Sequence, residues 1–516
     1  MSSECSEQNG QEMSVGSSSE APITKDRTRT RMVHAVAWTG AATWATQLIT
    51  WGYMIVIARM LAPSDYGLIG MATVPLGFFT VASEFGVGNS VIMMPDLTPT
   101  EVSQLNTVAV LCGVILFIMS CLGAYPLGQF FKAQDLPAVV VALSLTLIIA
   151  SFKTVPAALL QREFRFRLLA KTQAAEAVSY GLAAVVGVVL GARYWSLVMA
   201  SITGVTVSTL FVLWNRWHGF AWPKLAALRQ SLLFSAHIMG RRVAWYCSSN
   251  ADCAIVGRVL GAAALGSYNI AWNISQQPQQ KFTDLITGVV PSYFSEAQND
   301  HAALRQYVLT ITQALSMLTL PATLGLALVA DDFIAVVLGP KWVNSVGPLR
   351  MLAVYTAARS ITSFLPPLLN VTGQSRFVMW HHIVAAFYLT AGFYFGSRWG
   401  IVGVALVWPL LYPLLAVPLC VRVFKIISLS VEKYVDSLCP ALTGSLIMIA
   451  CVLVLRAFLP IRDVHIRLVI SIIAGAVTYS IAVAVLYSGR VRRLYRIVWP
   501  TAQKPAFTPG PYSALN

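Results

Sequence analysis

Charged side chains lie inside otherwise apolar stretches that are long enough to cross a membrane. Each charge held at bilayer depth costs roughly 2.5–3.5 kcal/mol on insertion scales, so such residues usually face a polar cavity. Basic groups at that depth can hold a phosphate or another anion, and carboxylates can bind a proton or a sodium ion. The candidate anion-binding residues are Arg241, Arg242, Lys281, Arg350, Arg359 and Lys153, and the candidate ion-coupling residues are Glu84, Glu176, Asp252 and Asp284.

The same charges could instead pair with one another and only stabilise a helix bundle. Lys281 and Asp284 lie one helical turn apart, which suits a structural pair. Glu84, Lys153 and Glu176 could form either a proton or sodium relay or such pairs. The sequence leaves both alternatives open for each residue.

The elements that must position these residues are transmembrane helices. The chain is 57% hydrophobic and only 11% charged, whereas a soluble domain carries about 25% charged residues. Spans of roughly 20 apolar residues cross the hydrocarbon layer. We predict an all-α polytopic membrane protein with about 14 spans, at approximately 34–58, 67–94, 105–127, 136–158, 172–192, 194–214, 233–257, 263–293, 307–330, 346–370, 378–397, 400–424, 436–459 and 465–488.

The distribution of Lys and Arg predicts that both termini are cytoplasmic. With that orientation, the cytoplasmic segments carry more than twice as many basic residues as the opposite side, as positive-inside topology requires. Arg456, Arg462 and Arg467 cluster on the opposite side and go against this bias. The net charge of +15 therefore indicates membrane topology, and we expect no nucleic-acid partner.

An internal repeat divides the chain into two halves. Arg59-Met60-Leu61 is followed by Gly67 and Ala72, and 199 residues later Arg258-Val259-Leu260 is followed by Gly266 and Ala271. Both copies close one span and open the next, which favours a duplication with a substrate site between the halves. We predict two pseudo-symmetric six-helix lobes and a C-terminal hairpin, divided into a tail at 1–33, an N-lobe at 34–214, a C-lobe at 233–425, accessory helices at 436–488 and a basic tail at 489–516.

Common catalytic and cofactor motifs are missing from the sequence. It contains no CxxC pair, P-loop, GxSxG or HExxH motif. His381-His382 has no carboxylate or Cys nearby, and Asp331-Asp332 is not a DxD motif. We expect no cofactor, no metal site and no enzymatic activity.

Four segments carry a resemblance to a known family. They are Ile57-Ala58-Arg59-Met60-Leu61-Ala62-Pro63-Ser64-Asp65-Tyr66-Gly67, Pro156-Ala157-Ala158-Leu159-Leu160-Gln161-Arg162 with Phe166, Asn250-Ala251-Asp252 leading to Ile255-Val256-Gly257-Arg258-Val259-Leu260-Gly261 and Leu265-Gly266-Ser267-Tyr268, and Leu338-Gly339-Pro340-Lys341-Trp342. Over roughly residues 34–425 the chain resembles Wzx-type flippases, the polysaccharide transporter branch of the multidrug/oligosaccharidyl-lipid/polysaccharide flippase superfamily.

The resemblance implies movement of an undecaprenyl-diphosphate-linked oligosaccharide from the inner to the outer leaflet of the bacterial inner membrane, for exopolysaccharide or lipopolysaccharide synthesis. It implies alternating access through a cationic central cavity, coupling to H+ or Na+, and contact with membrane lipids. A polymerase and a chain-length regulator would be pathway partners.

Three other functions compete with this interpretation. A cation-coupled multidrug exporter of the related branch would share the two lobes but favour a lumen richer in acids. A membrane polymerase or ligase would need a large external loop, whereas the longest predicted here is short. A scaffold for a synthesis complex would not need the buried charges.

Overall fold

The described part of the chain is built from helices. The computed structural model describes residues 46–93, 97–163, 165–223, 246, 249–287, 300–459 and 461–490. Within these ranges, eight helical stretches are long and apolar enough to span a membrane, or up to nine if one bent pair is counted as a single span. The prediction of an all-α, multi-pass membrane protein is confirmed, and the total of about 14 spans stays a prediction.

The N-lobe consists of six helices that pack on one another. Proline or a capping side chain starts several of them; Thr98 and Glu101, for example, form a reciprocal capping box at the start of the third helix. The helices are α1 (Thr46–Met60), α2 (Pro63–Met93), α3 (Pro99–Phe131), α4 (Leu136–Arg162), α5 (Phe166–Val189) and α6 (Tyr194–Asn215).

The C-lobe is more interrupted than the apolar pattern predicts. Its described elements are α7 (Ala251–Leu260), α8 (Ala262–Thr287), α9 (His301–Leu328), α10 (Ala330–Phe333), a π-helix (Ile334–Leu338), a 3-10 helix (Pro340–Ser345), α11 (Val346–Ser360), α12 (Leu365–Val371), α13 (Ser375–Gly396), a second 3-10 helix (Ser397–Trp399) and α14 (Gly400–Ile426). The predicted span 346–370 is divided at residues 361–364. Pro366 and Pro367 follow this break, and proline nitrogens cannot donate the bonds that would continue a helix.

The apolar stretch Ser375–Ile426 passes the length and composition test as one 52-residue segment. The chain nevertheless turns back at Gly400, whose φ is +70°. Gly403 then packs directly against the carbonyl oxygen of Gly396. The two halves form an antiparallel hairpin, as the separate predictions 378–397 and 400–424 require.

A C-terminal hairpin packs against the C-lobe. It consists of α15 (Val431–Phe458) and α16 (Val464–Leu486). The hydroxyl of Tyr479 donates a 2.7 Å hydrogen bond to the carbonyl of Met317 on α9. The predicted accessory helices 436–488 therefore pack against α9.

The two copies of the repeat meet at the contact between the lobes. A methyl group at Gly67 would overlap the carbonyl oxygen of Ala262, and one at Gly266 would overlap the carbonyl oxygen of Pro63. Pro63 and Ala262 are separated by the same 199 residues as Gly67 and Gly266. Such a reciprocal contact is what a two-fold axis produces. It supports duplication of a common half, and the division into two pseudo-symmetric lobes stays a prediction.

Candidate functional site

A large cavity lies within the N-lobe. Its volume is about 1190 Å³, larger than the roughly 300–1,000 Å³ of sites for drug-sized ligands. On α4 its lining runs from Thr146 to Gln161, about 22 Å of helix at 1.5 Å per residue. The lining also includes Tyr53 from α1, Thr80 from α2 and Tyr180 from α5. The cavity therefore reaches from the middle of the lobe to the end at which α4 finishes.

An ion pair stands in this cavity. The Lys153 ammonium lies 3.1 Å from the Glu176 carboxylate and donates a 2.7 Å hydrogen bond to the Ser208 hydroxyl. The lysine side chain is 23% exposed and the glutamate side chain 38% exposed. Two candidate residues from different helices, α4 and α5, are thus brought together with opposite charges. Both alternatives from the sequence, cavity residue and structural pair, apply to them at once.

Polar side chains of the cavity wall offer hydrogen-bond acceptors. The hydroxyls of Thr80, Thr154 and Thr172 donate to the backbone carbonyls of their own helices at 3.0–3.2 Å. A hydroxyl oxygen keeps two lone pairs after its proton is used. These oxygens can therefore accept hydrogen bonds from a ligand rich in hydroxyl groups.

An interlobe latch lies near the start of α2, at the end of this helix opposite the cavity. We define the latch as Arg59, Gly67, Gly266, Lys341 and Trp342. The indole of Trp342, which is fully buried, donates a 2.8 Å hydrogen bond to the carbonyl of Ala58. The Lys341 ammonium lies 3.4 Å from the Arg59 carbonyl oxygen. The last carbonyls of a helix have no partner within it, so the C-lobe caps the end of α1.

The N-lobe caps the C-lobe in return. The Nε of Arg59 donates a 2.9 Å hydrogen bond to the carbonyl of Val337, and its guanidinium also contacts the carbonyl of Val336. These carbonyls end the π-helix, where a cation is favourable by about 0.3–1 kcal/mol. Truncating a buried Trp costs about 3–5 kcal/mol. Trp342, with its edge-to-face contact to Tyr66 at 5.3 Å, therefore dominates the latch.

The latch joins two of the segments that carry the family resemblance. Arg59 and its neighbours belong to the first segment, and Lys341 and Trp342 to the last. The sequence alone does not indicate that these residues form a site. The repeat at Arg59 and Arg258 was a signal that this region is special. It could not indicate the hydrogen bond between Trp342 and Ala58, because these residues are 284 positions apart.

Asp252 lies in the core of the C-lobe. Only 1% of its surface is exposed. Its carboxylate accepts hydrogen bonds from the Tyr268 hydroxyl at 2.7 Å and from the Trp408 indole at 3.3 Å. The backbone N–H of Cys253 is a third donor, at 2.8 Å. Among the described residues, none supplies a positive charge to this carboxylate.

Arg359 lies among polar and aromatic groups of the C-lobe. Its guanidinium donates a 3.3 Å hydrogen bond to the Gln276 amide oxygen and lies 6.0 Å from the centre of the Tyr355 ring. The Gln276 nitrogen in turn donates to the hydroxyl of Thr356 at 3.2 Å. Within the described ranges, no carboxylate pairs with Arg359.

Of the other candidates, two have described side chains. Arg350 pairs with Asp331, and both side chains are about half exposed. Lys281 is half-buried on α8. Arg241 and Arg242 lie outside the described residues, and so do the side chains of Glu84 and Asp284, although both positions fall on helices. The anion-binding and ion-coupling roles of all ten candidates stay predictions.

A buried ionic clasp, formed by Asp332, Arg456 and Arg467, escaped the sequence analysis. The Asp332 carboxylate accepts from the Arg467 Nε at 3.0 Å and also contacts the Arg456 guanidinium. The clasp fixes the C-terminal hairpin to the C-lobe and pairs two of the three arginines that opposed the topology rule with one shared carboxylate. That exception was the available signal for a nearby acid.

Together, the fold and the site define a multi-pass helical membrane protein with two lobes. It has a charged, hydroxyl-lined cavity in one lobe and a latch between the lobes. The family model described as "Polysaccharide biosynthesis protein" matches residues 56–347. The chain belongs to this family, and the predicted resemblance to Wzx-type polysaccharide flippases is confirmed.

Named relatives and a solved structure agree with this assignment. The chain is 26% identical over 348 residues to the lipopolysaccharide biosynthesis protein WzxC of Escherichia coli (strain K12), covering 66% of this chain and 70% of that protein. It is 24% identical over 511 residues to the succinoglycan biosynthesis transport protein ExoT of Rhizobium meliloti (strain 1021), covering 95% and 99%. The lipid II flippase MurJ in an inward closed conformation shares the fold, with a TM-score of 0.74, 13% identity and coverage of 88% and 100%.

Proposed function

We propose that this protein moves an undecaprenyl-diphosphate-linked oligosaccharide from the inner to the outer leaflet of the bacterial inner membrane, for exopolysaccharide or lipopolysaccharide synthesis. The observation that carries the proposal is the family match together with a cavity suited to a charged glycan. The protein performs no chemical step and acts as a carrier. A polymerase and a chain-length regulator of the same pathway would act on its product.

The chemistry of the cavity supports a sugar-bearing anion as the substrate. A hydroxyl group buried without a hydrogen bond costs several kcal/mol, so a glycan crossing the bilayer needs polar walls. The threonine oxygens, together with Gln161 and Gln173, offer such walls. Lys153 and Arg359 supply positive charge for a diphosphate, and the lipid tail can stay in the bilayer.

The positions of the cavity and the latch support alternating access. The latch lies where α2 begins, near Pro63, whereas the cavity lining on α2 runs from Thr80 to Ile92. With both termini cytoplasmic, the latch closes the periplasmic end while the cavity reaches the cytoplasmic end. This arrangement is an inward-facing state, ready to load a substrate from the inner leaflet. Opening the latch and closing the other end would release it outside.

The proposal is tested by reconstitution of the full-length protein in liposomes that contain an undecaprenyl-diphosphate-linked oligosaccharide. The measurement is the fraction of glycan that a membrane-impermeant lectin reaches from outside. With an imposed H+ or Na+ gradient, we expect that fraction to rise from about half to nearly all when the protein is inserted so that its cytoplasmic face lies in the lumen. Protein-free liposomes are the control, and folded protein that leaves the fraction unchanged contradicts the function.

The rival function is cation-coupled export of drugs. The same liposomes, loaded with a fluorescent cationic dye and given a proton or sodium gradient, test it directly. Dye efflux without glycan translocation would favour the exporter.

Asp252 is the carboxylate best placed to couple transport to an ion. An ionised carboxylate in an apolar core is costly without a cation. Asp252 therefore takes up H+ or Na+ when Tyr268 and Trp408 bury it. We expect Asp252→Asn to reduce the stimulation of translocation by an imposed gradient at least tenfold. Slow translocation without a gradient should persist. The measurement is the initial rate in the lectin assay, with and without an imposed gradient.

The matched control for this prediction is Asp436→Asn. Asp436 is an exposed aspartate that pairs with Arg490 at the surface, so we expect its stimulation by the gradient to equal that of the wild type. Equal stimulation in Asp252→Asn as well would contradict a coupling role for Asp252.

A further inference from the structure

The Lys153 ammonium has spare binding capacity in the N-lobe cavity. A lysine carries three N–H donors. Ser208 takes one of them at 2.7 Å and Glu176 takes another at 3.1 Å. The third donor has no described acceptor, and Lys153 lines the cavity. A ligand oxygen can therefore reach this ammonium without displacing Ser208.

The two partners of Lys153 hold it in different ways. Ser208 is fully buried and lies on α6, and its own hydroxyl donates to the Val205 carbonyl at 3.0 Å. Its oxygen is therefore a fixed acceptor. Glu176 is the more exposed member of the ion pair and also lines the cavity, so it can turn toward water and leave Lys153 behind. The structure thus combines a fixed cation with a displaceable counter-ion.

We propose that Lys153 anchors the diphosphate of the lipid-linked substrate in the N-lobe cavity, and that Glu176 is the resident counter-ion that this diphosphate displaces. The inference rests on the proposed function and names the substrate group that this subsite takes. A diphosphate carries more charge than one carboxylate and offers more acceptor oxygens, so it competes effectively for the same ammonium. When the substrate leaves, Glu176 pairs with Lys153 again and no isolated charge stays at bilayer depth.

The wall of the cavity places the glycan beyond this anchor. Thr154 and Ala157 follow Lys153 on α4, and Gln161 lies two turns further along toward the end of the helix. Gln173 lies about one turn before Glu176 on α5 and also lines the cavity. Hydroxyl and amide groups thus continue from the ion pair toward the end at which α4 finishes. Sugars attached to an anchored diphosphate would meet them in that order.

The inference predicts opposite effects for the two members of the ion pair. The experiment measures binding of undecaprenyl diphosphate to the full-length protein in lipid nanodiscs by isothermal titration calorimetry. We expect Lys153→Gln to weaken binding at least tenfold, and Glu176→Gln to tighten it about three- to tenfold because the competing carboxylate is gone. The double variant should bind as weakly as Lys153→Gln, and Lys153→Arg should keep most of the affinity.

A purely structural ion pair makes a different prediction. Both single variants would then lose thermal stability, and both would bind undecaprenyl diphosphate more weakly. The double variant, with two neutral amides, would recover its stability and binding. That pattern, or equal affinity in all the variants, would overturn the inference. Undecaprenol, which lacks the diphosphate, is the ligand control, and its binding should not respond to any of the substitutions.

The experiment also separates this inference from the proposed function. If the wild type translocates the glycan and binds undecaprenyl diphosphate, while Lys153→Gln binds it equally well, only the role of Lys153 and Glu176 fails. If the wild type neither binds the diphosphate lipid nor translocates the glycan, the proposed function fails, and this subsite fails with it.

Discussion

Replacing Gly266 with alanine is expected to stop glycan translocation while leaving the protein folded. The added methyl group would overlap the Pro63 carbonyl oxygen and approach the backbone nitrogen of Gly67. Both neighbours are backbone atoms and cannot swing aside. The lobes must therefore separate at this point, which removes the hydrogen bond between Trp342 and Ala58. Overpacking of this kind costs about 1–3 kcal/mol, and each 1.4 kcal/mol changes the ratio of closed to open latch about tenfold.

Two measurements check this prediction. The first is the initial rate in the liposome lectin assay, which we expect to fall at least tenfold. The second is the accessibility of a cysteine introduced at the fully buried Ala58, in a background without the native cysteines. A membrane-impermeant thiol reagent added from the latch side should label it faster in the Gly266→Ala variant, because the open latch exposes it.

Gly123→Ala is the matched control for this substitution. Gly123 lies inside α3, and a methyl group there would meet nothing within 4 Å. Alanine is better than glycine in a helix by about 0.8–1.0 kcal/mol, so the control should be at least as stable as the wild type. If Gly266→Ala behaves like Gly123→Ala in both measurements, the latch is not required for transport. Gly67→Ala tests the symmetry-related contact, and we expect the same loss.

Replacing Asp332 with asparagine is expected to destabilise the protein by about 3 kcal/mol. Removing one member of a buried ion pair costs 3–5 kcal/mol because the other charge stays uncompensated. Here two arginines, Arg456 and Arg467, lose their carboxylate, but both keep some access to water, which places the cost at the lower end. Arg456 also retains its 3.2 Å hydrogen bond to the Leu328 carbonyl.

The neighbouring residue provides the control for the clasp. Asp331 is 51% exposed and pairs with Arg350, whereas Asp332 is 2% exposed. Exposed pairs contribute about 0–1 kcal/mol, so Asp331→Asn should leave the thermal transition nearly unchanged. Thermal unfolding in detergent and the rate of proteolysis at residues 461–463 are the measurements. Equal behaviour of the two variants would mean that the clasp does not hold the hairpin.

The positions of most helices could be predicted from the sequence. The span predicted at 194–214 is the helix Tyr194–Asn215, and the span predicted at 465–488 is the helix Val464–Leu486. Length and apolar composition determine these elements because a helix that crosses lipid must satisfy its own backbone. The prediction was less accurate at 346–370. Two prolines there follow a break that a hydropathy pattern does not resolve.

The candidate site could be predicted only as a set of residue types. The sequence indicated that Lys153 and Glu176 are charges at membrane depth, but not that they pair with each other across 23 positions. It gave Asp331 and Asp332 equal weight, although one lies near the surface and the other is buried between two arginines. Pairing depends on which helices pack together, and apolar helices of similar composition leave that choice open.

The sequence by itself determined the class of this protein. Its apolar spans required a membrane, the basic residues in its loops predicted an orientation, and the repeat at Arg59 and Arg258 indicated two related halves. Only the tertiary structure decided which charges are neutralised and where the lobes meet. The physical reason is distance along the chain. Helix formation is a local property, whereas the hydrogen bond from Trp342 to Ala58 joins residues 284 positions apart and forms only when both lobes have folded against each other.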